Sequence, residues 1–339
     1  MPPGDFLPAA DLDTLRLRAR LLTRVRRFFE TRGYWEVETP LLSHDIVVDA
    51  HLDPFCVPRG DRGADLYLQT SPEFAMKRLL AAGADAIYQV CKAFRRGERG
   101  RLHNPEFTMV EWYRVGDTYL SQMQLVEDLV RQIFLAAAAE QYIAPISGNS
   151  GIVPPVFVRT TYAEAFRRHA GIEVFECGTA RLIELAAERS VAVPRGLSPD
   201  DRDGWLNLLL AELIEPGLGL GVPEFLYDYP ASQGALAVTR PGPPAIAERF
   251  ELYFQGIELC NGYQELIDPD ELRARTRTQA AIRERAGHSP LPMESRLEAA
   301  MKAGYPGSAG VALGFDRLVM IAAGKHSLEE VLAFPVDRA

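Results

Sequence analysis

Residues 94–113 read FRRGERGRLHNPEFTMVEWY. The stretch is entered through AIYQVCKAFR, which is rich in β-formers. It is left through Phe107, Met109, Glu111 and Tyr113, which recur at the period of a strand. His103, Asn104 and Pro105 mark a turn between the two. The pattern predicts a strand, a long tip and a returning strand, with Arg95, Arg96, Arg99, Arg101 and His103 gathered at the tip. A solvated basic loop would have the same composition. Arg95, however, stands where a strand ends, so the backbone fixes its origin. A guanidinium fork also matches phosphate oxygens with two parallel hydrogen bonds. Phe107, on the returning strand, offers a flat apolar face to a purine. The tip therefore predicts a polyphosphate site in a chain whose formal net charge is -9.

The rest of the composition is that of an ordinary globular protein: 339 residues, 47% hydrophobic and 24% charged. That length allows one large domain or two. There is no apolar run of about eighteen residues. The most apolar stretch near the N-terminus is interrupted by Arg24, Arg26 and Arg27, which argues against a membrane span or signal peptide and for a cytoplasmic protein. Cys56, Cys91, Cys177 and Cys260 have no paired spacing and read as reduced thiols. The histidines form no metal pattern. The acidic balance speaks against a broad nucleic-acid surface, which needs a surplus of Lys and Arg on one face.

Residues 1–12, with three prolines and a glycine, read as a flexible arm. Leu15, Ala19, Leu22, Val25 and Phe29 then step at helical spacing, and Gly33 stands where a helix closes, predicting a helix over 13–32. YWEVETPLLS is extended and stopped at Pro40. LYLQTSPEFAMKRLLAAG gives a short strand, Ser71 as helix cap, Pro72 at the first helical position and Gly83 as terminator. A long helix is expected over 119–140, a surface connection over 145–158 and a helical insertion over about 160–215. Strands EFLYDYPA, RFELYFQGIELCNGYQEL and GVALG follow, with helices at 269–285, 294–303 and 315–323. Strands divided by helices without a regular βαβ beat predict an α+β fold, an antiparallel sheet flanked by helices, as one domain over 13–339.

Two further segments carry chemistry. GVALGFDRLVMIAAG places Arg317 in the first turn of a helix entered through Gly314. Paired with Asp316 it would be structural. Beside the unpaired N–H groups of a helix start, a cation is costly unless an anion arrives. GIELCNGYQEL holds Glu258 and Glu265 seven apart, so a regular strand would aim them at opposite faces. A bulge at Asn261 and Gly262 would bring them to one face, where two carboxylates suit Mg²⁺ bridging phosphates. There is no GxxxxGK[ST] loop, and the run Gly217, Gly219, Gly221 ends in Pro223, which makes it a turn.

RGYWEVETPLLS, FRRGERGRLHNPEFTMVEWY and GVALGFDRLVMI resemble, in order, motifs 1, 2 and 3 of the class II aminoacyl-tRNA synthetases. ELCNGYQELIDP and TSPEFAMKRLL narrow the resemblance to the lysyl subgroup. The likeness runs from about residue 14 to the end and is weakest over 145–220. It implies a class II synthetase catalytic core that uses ATP and Mg²⁺. Arg95 and Arg317 would hold the phosphates as catalytic groups, with adenine stacked between Phe107 and Arg317. Arg96, Gly97, Glu98, Asn104, Glu258, Leu259 and Gly314 would complete the nucleotide site. Ser71, Glu73, Tyr113, Asn261, Glu265 and Ala312 would line the amino-acid pocket, Glu258 and Glu265 would hold the metal, and residues 33–42 would form a homodimer interface.

Departures from the family pattern bear on the acceptor. A lysyl-tRNA synthetase has an anticodon-binding OB domain of roughly a hundred residues before motif 1, whereas here the motif 1 helix is expected to start near residue 13. Ala312 stands where the synthetase pattern has glycine, and YPASQGALA also differs. These features resemble truncated lysyl-synthetase paralogues that join (R)-β-lysine to the ε-amine of a lysine on elongation factor P. Many family members have Glu two places after the motif 2 arginine; this chain has Gly97 and then Glu98. The alternatives are a synthetase-like enzyme activating α-lysine for tRNA or a small acceptor, and an inactive interaction module. The last has no physical reason to keep buried unpaired charges.

Overall fold

The computed structural model describes residues 6–60, 63–140 and 156–339, so most of the connection expected over 145–158 lies outside the described residues. The chain divides into two compact units, Met1–Ile152 with Glu265–Ala339, and Val153–Gln264.

The first unit opens with α1 (Leu12–Glu30), whose cap Asp11 accepts from the Thr14 N–H at 2.6 Å. Its buried stripe is Leu17, Leu21, Val25, Phe28 and Phe29, and Gly33 at φ +77° ends it in the left-handed region. Next come β1 (Trp35–Glu36), a small sheet of β2 (Leu42–Ser43), β3 (Cys56–Val57) and β4 (Leu66–Leu68), and then α2 (Glu73–Ala81). This last helix begins one residue later than expected: Pro72 takes the cap position, and Ser71 Oγ still accepts from the Glu73 N–H at 3.1 Å. The predicted hairpin is β5 (Ala86–Phe94) and β6 (Glu106–Val115), followed by α3 (Tyr119–Ala139), which starts at a Thr118–Ser121 capping box.

After the second unit the chain returns through α7 (Pro269–Arg285), α8 (Arg296–Gly304), β12 (Ser308–Gly314) and α9 (Phe315–Ala322). The strand order is β1-β5-β6-β12, antiparallel except for the β1–β5 pair. Behind this sheet, Phe29 of α1 stacks on Tyr88 and tilts against Trp112, with ring centroids 4.7 and 5.0 Å away. Trp112 Nε1 donates to Gln122 of α3 at 2.7 Å. One face of β6 is thereby closed by helices, and the face carrying Phe107, Met109, Glu111 and Tyr113 is left for the site.

The second unit contains β7 (Val158–Thr161), α4 (Tyr162–Ala170), α5 (Thr179–Glu188), α6 (Arg202–Leu209), β8 (Glu224–Pro230), β9 (Thr239–Arg240), β10 (Ile246–Phe254) and β11 (Ile257–Gln264). Its sheet runs β11-β10-β8-β7, with β9 also on β10, and the β7–β8 pair is parallel. Both edge pairs thus depart from the purely antiparallel expectation within an α+β fold. The helical stretch packs Tyr162, Phe166, Leu185, Trp205, Leu209 and Ile214 into one core with β8 and β10. RFELYFQGIELCNGYQEL is a hairpin: Gln255 (φ +54°) and Gly256 (φ +70°) make a two-residue turn of the type that suits strand twist. The expected glycine turn is present, and Gly219 is required there, because a Cβ would meet the Tyr253 carbonyl at 2.4 Å.

Candidate active site

The tip between β5 and β6 starts at Arg95 and is met by Arg317 at His103. Arg95 leaves the end of β5 with its N–H on the Pro105 carbonyl at 2.9 Å. Its guanidinium lies over the Phe107 ring, 5.0 Å from the centroid, and pairs with Glu98 at 3.6 Å. Arg317, in the first turn of α9, reaches the tip from the other side. Its Nε donates to the Leu102 carbonyl at 3.3 Å, and its Nη2 lies 2.9 Å from His103 Nε2. Burial, and then the fields of Arg317 and Arg95, push the His103 pKa below the ordinary histidine value, with Glu98 pulling the other way. The imidazole is therefore neutral at pH 7, and its Nε2 serves as acceptor for Arg317. Gly314 caps α9 without a side-chain hydrogen bond, which leaves the first-turn N–H groups as donors for an anion. The Asp316 carboxylate goes to Arg18 at 2.6 Å.

The other tip cations are held by the protein itself. Arg96 faces Asp53 at 3.8 Å, Arg99 pairs with Asp337, and Arg101 donates to the His326 carbonyl at 2.9 Å. Gly97 takes φ +85°, the left-handed turn that lets the tip fold back. Asn104 braces the tip. Its Nδ2 donates to the Glu106 carbonyl at 2.6 Å and its Oδ1 accepts from the Val336 N–H at 3.0 Å, so the amide is engaged at both ends in bracing the tip.

Deeper on the same face of β6 is a buried polar cluster. Ser71 Oγ donates to Glu111 Oε2 at 2.8 Å and Tyr113 Oη donates to Glu111 Oε1 at 2.6 Å. Lys77, almost fully buried, meets Glu73 at 2.5 Å and also pairs with Glu265. Across the strand ladder Gly310 stands opposite Tyr113, and Ala312 opposite Glu111. A Cβ on Gly310 would come within 2.3 Å of the Tyr113 ring, so the wall is small because its neighbours leave no room. Ser71, Glu73, Tyr113 and Glu265 thus fall in one buried cluster with Lys77 and Glu111, and Ala312 stands on the neighbouring strand opposite Glu111. Sequence reasoning missed Lys77 and Glu111, although Lys77 follows Glu73 by one helical turn and Glu111 shares the strand period with Tyr113. Glu73 and Glu265 meet the one ammonium of Lys77, and Glu111 stands beside them held by two donated hydrogen bonds.

Burial opposes the Lys77 charge, but Glu265 and Glu73 more than offset it and hold its pKa well above the ordinary lysine value. Burial, and then Glu73, push Glu111 up to about 8, and the donated bonds from Tyr113 and Ser71 only partly oppose them. The sign of the consequence follows. Below the ordinary value of 4.5 the group is protonated in folded and unfolded chains alike. Above it the unfolded chain releases a proton that the folded one keeps, so stability falls as pH rises, by about 1.4 kcal/mol per unit at most, until the folded group ionises. Glu111→Gln is expected to flatten the stability profile between about pH 5 and 8. Denaturant midpoints across that range check it; an unchanged slope would assign the titration elsewhere.

Glu258, Leu259 and Asn261 lie on β11 of the second unit. The predicted bulge is present but displaced. Leu252 pairs with Cys260 and Tyr253 with Glu258, so the extra residue is Leu259, while Asn261 and Gly262 pair regularly with Glu251 and Phe250. Asn261 Nδ2 lies 3.5 Å from Glu258 Oε1. The strand beneath is stiffened by Glu251, which accepts from Tyr229 and Tyr253 hydroxyls at 2.6 Å each and pairs with Arg249. The Glu265 carboxylate, expected to share a metal with Glu258, is paired with Lys77. Among the described residues no group of three or more His, Cys, Asp or Glu could hold a metal ion.

The comparisons agree with this geometry. The sequence model of the family described as tRNA synthetases class II (D, K and N) matches residues 9–338. A Vibrio cholerae protein named elongation factor P--(R)-beta-lysine ligase is 43% identical over 348 residues, covering 100% of both chains. Proteins of the same name from Vibrio vulnificus (44%, 98% of each chain) and Erwinia tasmaniensis (43%, 99% of this chain and 98% of that one) are similarly close. With a match over residues 9–338 and relatives about 43% identical over the whole length, this chain belongs to the class II tRNA synthetase family of the D, K and N type.

Proposed function

We propose that this chain activates (R)-β-lysine with ATP as an adenylate and passes the β-lysyl group to the ε-amine of a lysine on elongation factor P. The observation that carries the reading is that Arg95, over Phe107, and Arg317, on Leu102 and His103, meet the same tip, with a buried cluster of three carboxyl groups on the same strand face. The named relatives support the acceptor. The substrate carboxylate attacks the α-phosphorus, the bond to the β-phosphate oxygen breaks and pyrophosphate leaves. The acceptor amine then attacks the activated carbonyl, AMP leaves, and the amine gives up a proton. No side chain acts as nucleophile. Arg95 and Arg317 stabilise charge building on the phosphate oxygens. Phe107 and the Arg317 plane take the adenine. Bound Mg²⁺ supplies charge neutralisation on the triphosphate, with Glu258 as its carboxylate. Ser71, Glu73, Glu111, Tyr113 and Glu265 receive the ammonium groups. Glu258, Leu259 and Asn261 are assigned from the family motif.

The reading includes a cytoplasmic homodimer joined through residues 33–42. Trp35 and Leu42 there are 50% and 40% exposed, large for apolar side chains in so short a segment. No helix among the described residues is long and apolar enough to cross a membrane.

Ala312, opposite Glu111, places a methyl group on the pocket wall. A methyl-sized change shifts selectivity by roughly 1–3 kcal/mol. Ala312→Gly is therefore expected to raise use of α-lysine relative to (R)-β-lysine by about tenfold. ATP–pyrophosphate exchange with each isomer tests both statements: robust exchange with (R)-β-lysine supports the activation step, and an unchanged isomer ratio in the variant would remove Ala312 from the wall.

A further inference from the structure

Arg18, on the motif 1 helix, has no part in the chemistry above, yet it joins the two segments that would hold adenine. Its Nη2 donates to Thr108 Oγ1 at 2.8 Å and pairs with Asp316 Oδ1 at 2.6 Å. The other oxygen of Asp316 accepts from the Thr108 N–H at 2.8 Å. The Arg18 guanidinium also lies over the Phe315 ring, 5.0 Å from its centroid. The Arg18 and Asp316 side chains are only 18% and 3% exposed. Thr108 and Asp316 are the immediate chain neighbours of Phe107 and Arg317.

The strand ladder between β6 and β12 ends at Met109 opposite Gly314. Beyond that pair β12 becomes a helix and can no longer bond to β6, so the spacing between β6 and the first turn of α9 needs another tie. The Asp316 carboxylate supplies it by accepting the next N–H of β6, and Arg18 holds that carboxylate from behind. The tip bonds of Arg317, to Leu102 and His103, fix the far end of its side chain; the Asp316 node fixes where its backbone starts.

We infer that Arg18 is a positioning residue for the nucleotide: by holding Asp316 against Thr108 it sets the gap between Phe107 and Arg317 in which adenine stacks. The inference rests on the proposed nucleotide site. A buried ion pair of this kind, beside the Arg18–Thr108 and Thr108–Asp316 hydrogen bonds, holds geometry that a neutral packing contact would not. Its loss should weaken ATP and leave the amino-acid pocket, which uses none of these atoms, unaltered.

The test is ATP–pyrophosphate exchange by the full chain and by Arg18→Met, Arg18→Lys and Thr108→Val, with both substrates varied. The KM for ATP is expected to rise about tenfold in Arg18→Met and about threefold in Thr108→Val, while the KM for (R)-β-lysine stays within about twofold. Arg18→Lys should recover part of the loss, because an ammonium can still pair with Asp316. A purely structural role would lower the active fraction and hence the apparent kcat, without separating the two KM values. Both KM values rising together, or neither changing in folded variants, would overturn the inference. Should Arg18→Met fail to fold, Thr108→Val and Arg18→Lys decide it. Calorimetric ATP binding needs no turnover, so weaker binding in the variants would support the inference even if the wild-type chain exchanged no pyrophosphate, a result that would overturn the proposed reaction alone.

Discussion

Replacing Arg317 by lysine is expected to leave the chain folded and to slow adenylate formation by about 10²-fold or more. The arginine bonds the Leu102 carbonyl through Nε and His103 through Nη2 while presenting a plane. An ammonium offers a point charge, no plane and no second fixed donor, so it cannot both brace the tip and face adenine and phosphate. The fold should survive because the neighbouring Asp316, bonded to Arg18 and Thr108, anchors the start of α9. Pyrophosphate exchange, read beside the unfolding midpoint, checks this; near-normal exchange would show that Arg317 does not act on the nucleotide.

The second large effect is on stability. Lys77→Met is expected to destabilise the protein by about 3–5 kcal/mol at neutral pH, since removing one partner leaves buried charge uncompensated. Glu73 and Glu265 would then face each other without the ammonium that now meets both. Burial already pushes the Glu265 carboxyl up to about 7 against the pull of Lys77, so without the ammonium it would rise further, and a raised carboxyl contributes stability that is present at low pH and lost as pH increases. The deficit should accordingly be largest above pH 7 and shrink toward pH 5. Adding Glu265→Gln to Lys77→Met should recover part of it. Denaturant unfolding across that pH range measures the effect, and a loss below about 1 kcal/mol would mean that the cluster is wetter than its burial indicates.

Much of this architecture was legible because local signals and tertiary demands agree. Gly33 is a stop residue in a local sense, and α1 and α3 begin and end within about two residues of the expected 13–32 and 119–140. Arg95 and Arg317 were legible as a pair because each sits at an element end. What was not legible depends on partners distant in sequence. Nothing local to Asn104 announces that Val336 will claim its oxygen, or that Asp53, Asp337 and the His326 carbonyl will occupy Arg96, Arg99 and Arg101. The bulge at Leu259 was misplaced because Gly262 is the residue for which a bulge is cheapest, whereas pairing with β10 set the position. Lys77 looked like an ordinary helix surface residue until its helix was packed against β6. The parallel pairing of β1 with β5 is likewise invisible to periodicity, which reports faces and not neighbours.

The most direct test of the account is the acceptor. Chain, ATP, Mg²⁺ and (R)-β-lysine are incubated with unmodified elongation factor P or with lysine tRNA, and each acceptor is weighed by mass spectrometry. The account predicts one β-lysyl group on a single lysine of elongation factor P, dependent on ATP and abolished in Arg317→Lys, with the tRNA unchanged. Charged tRNA beside an unmodified elongation factor P would contradict it.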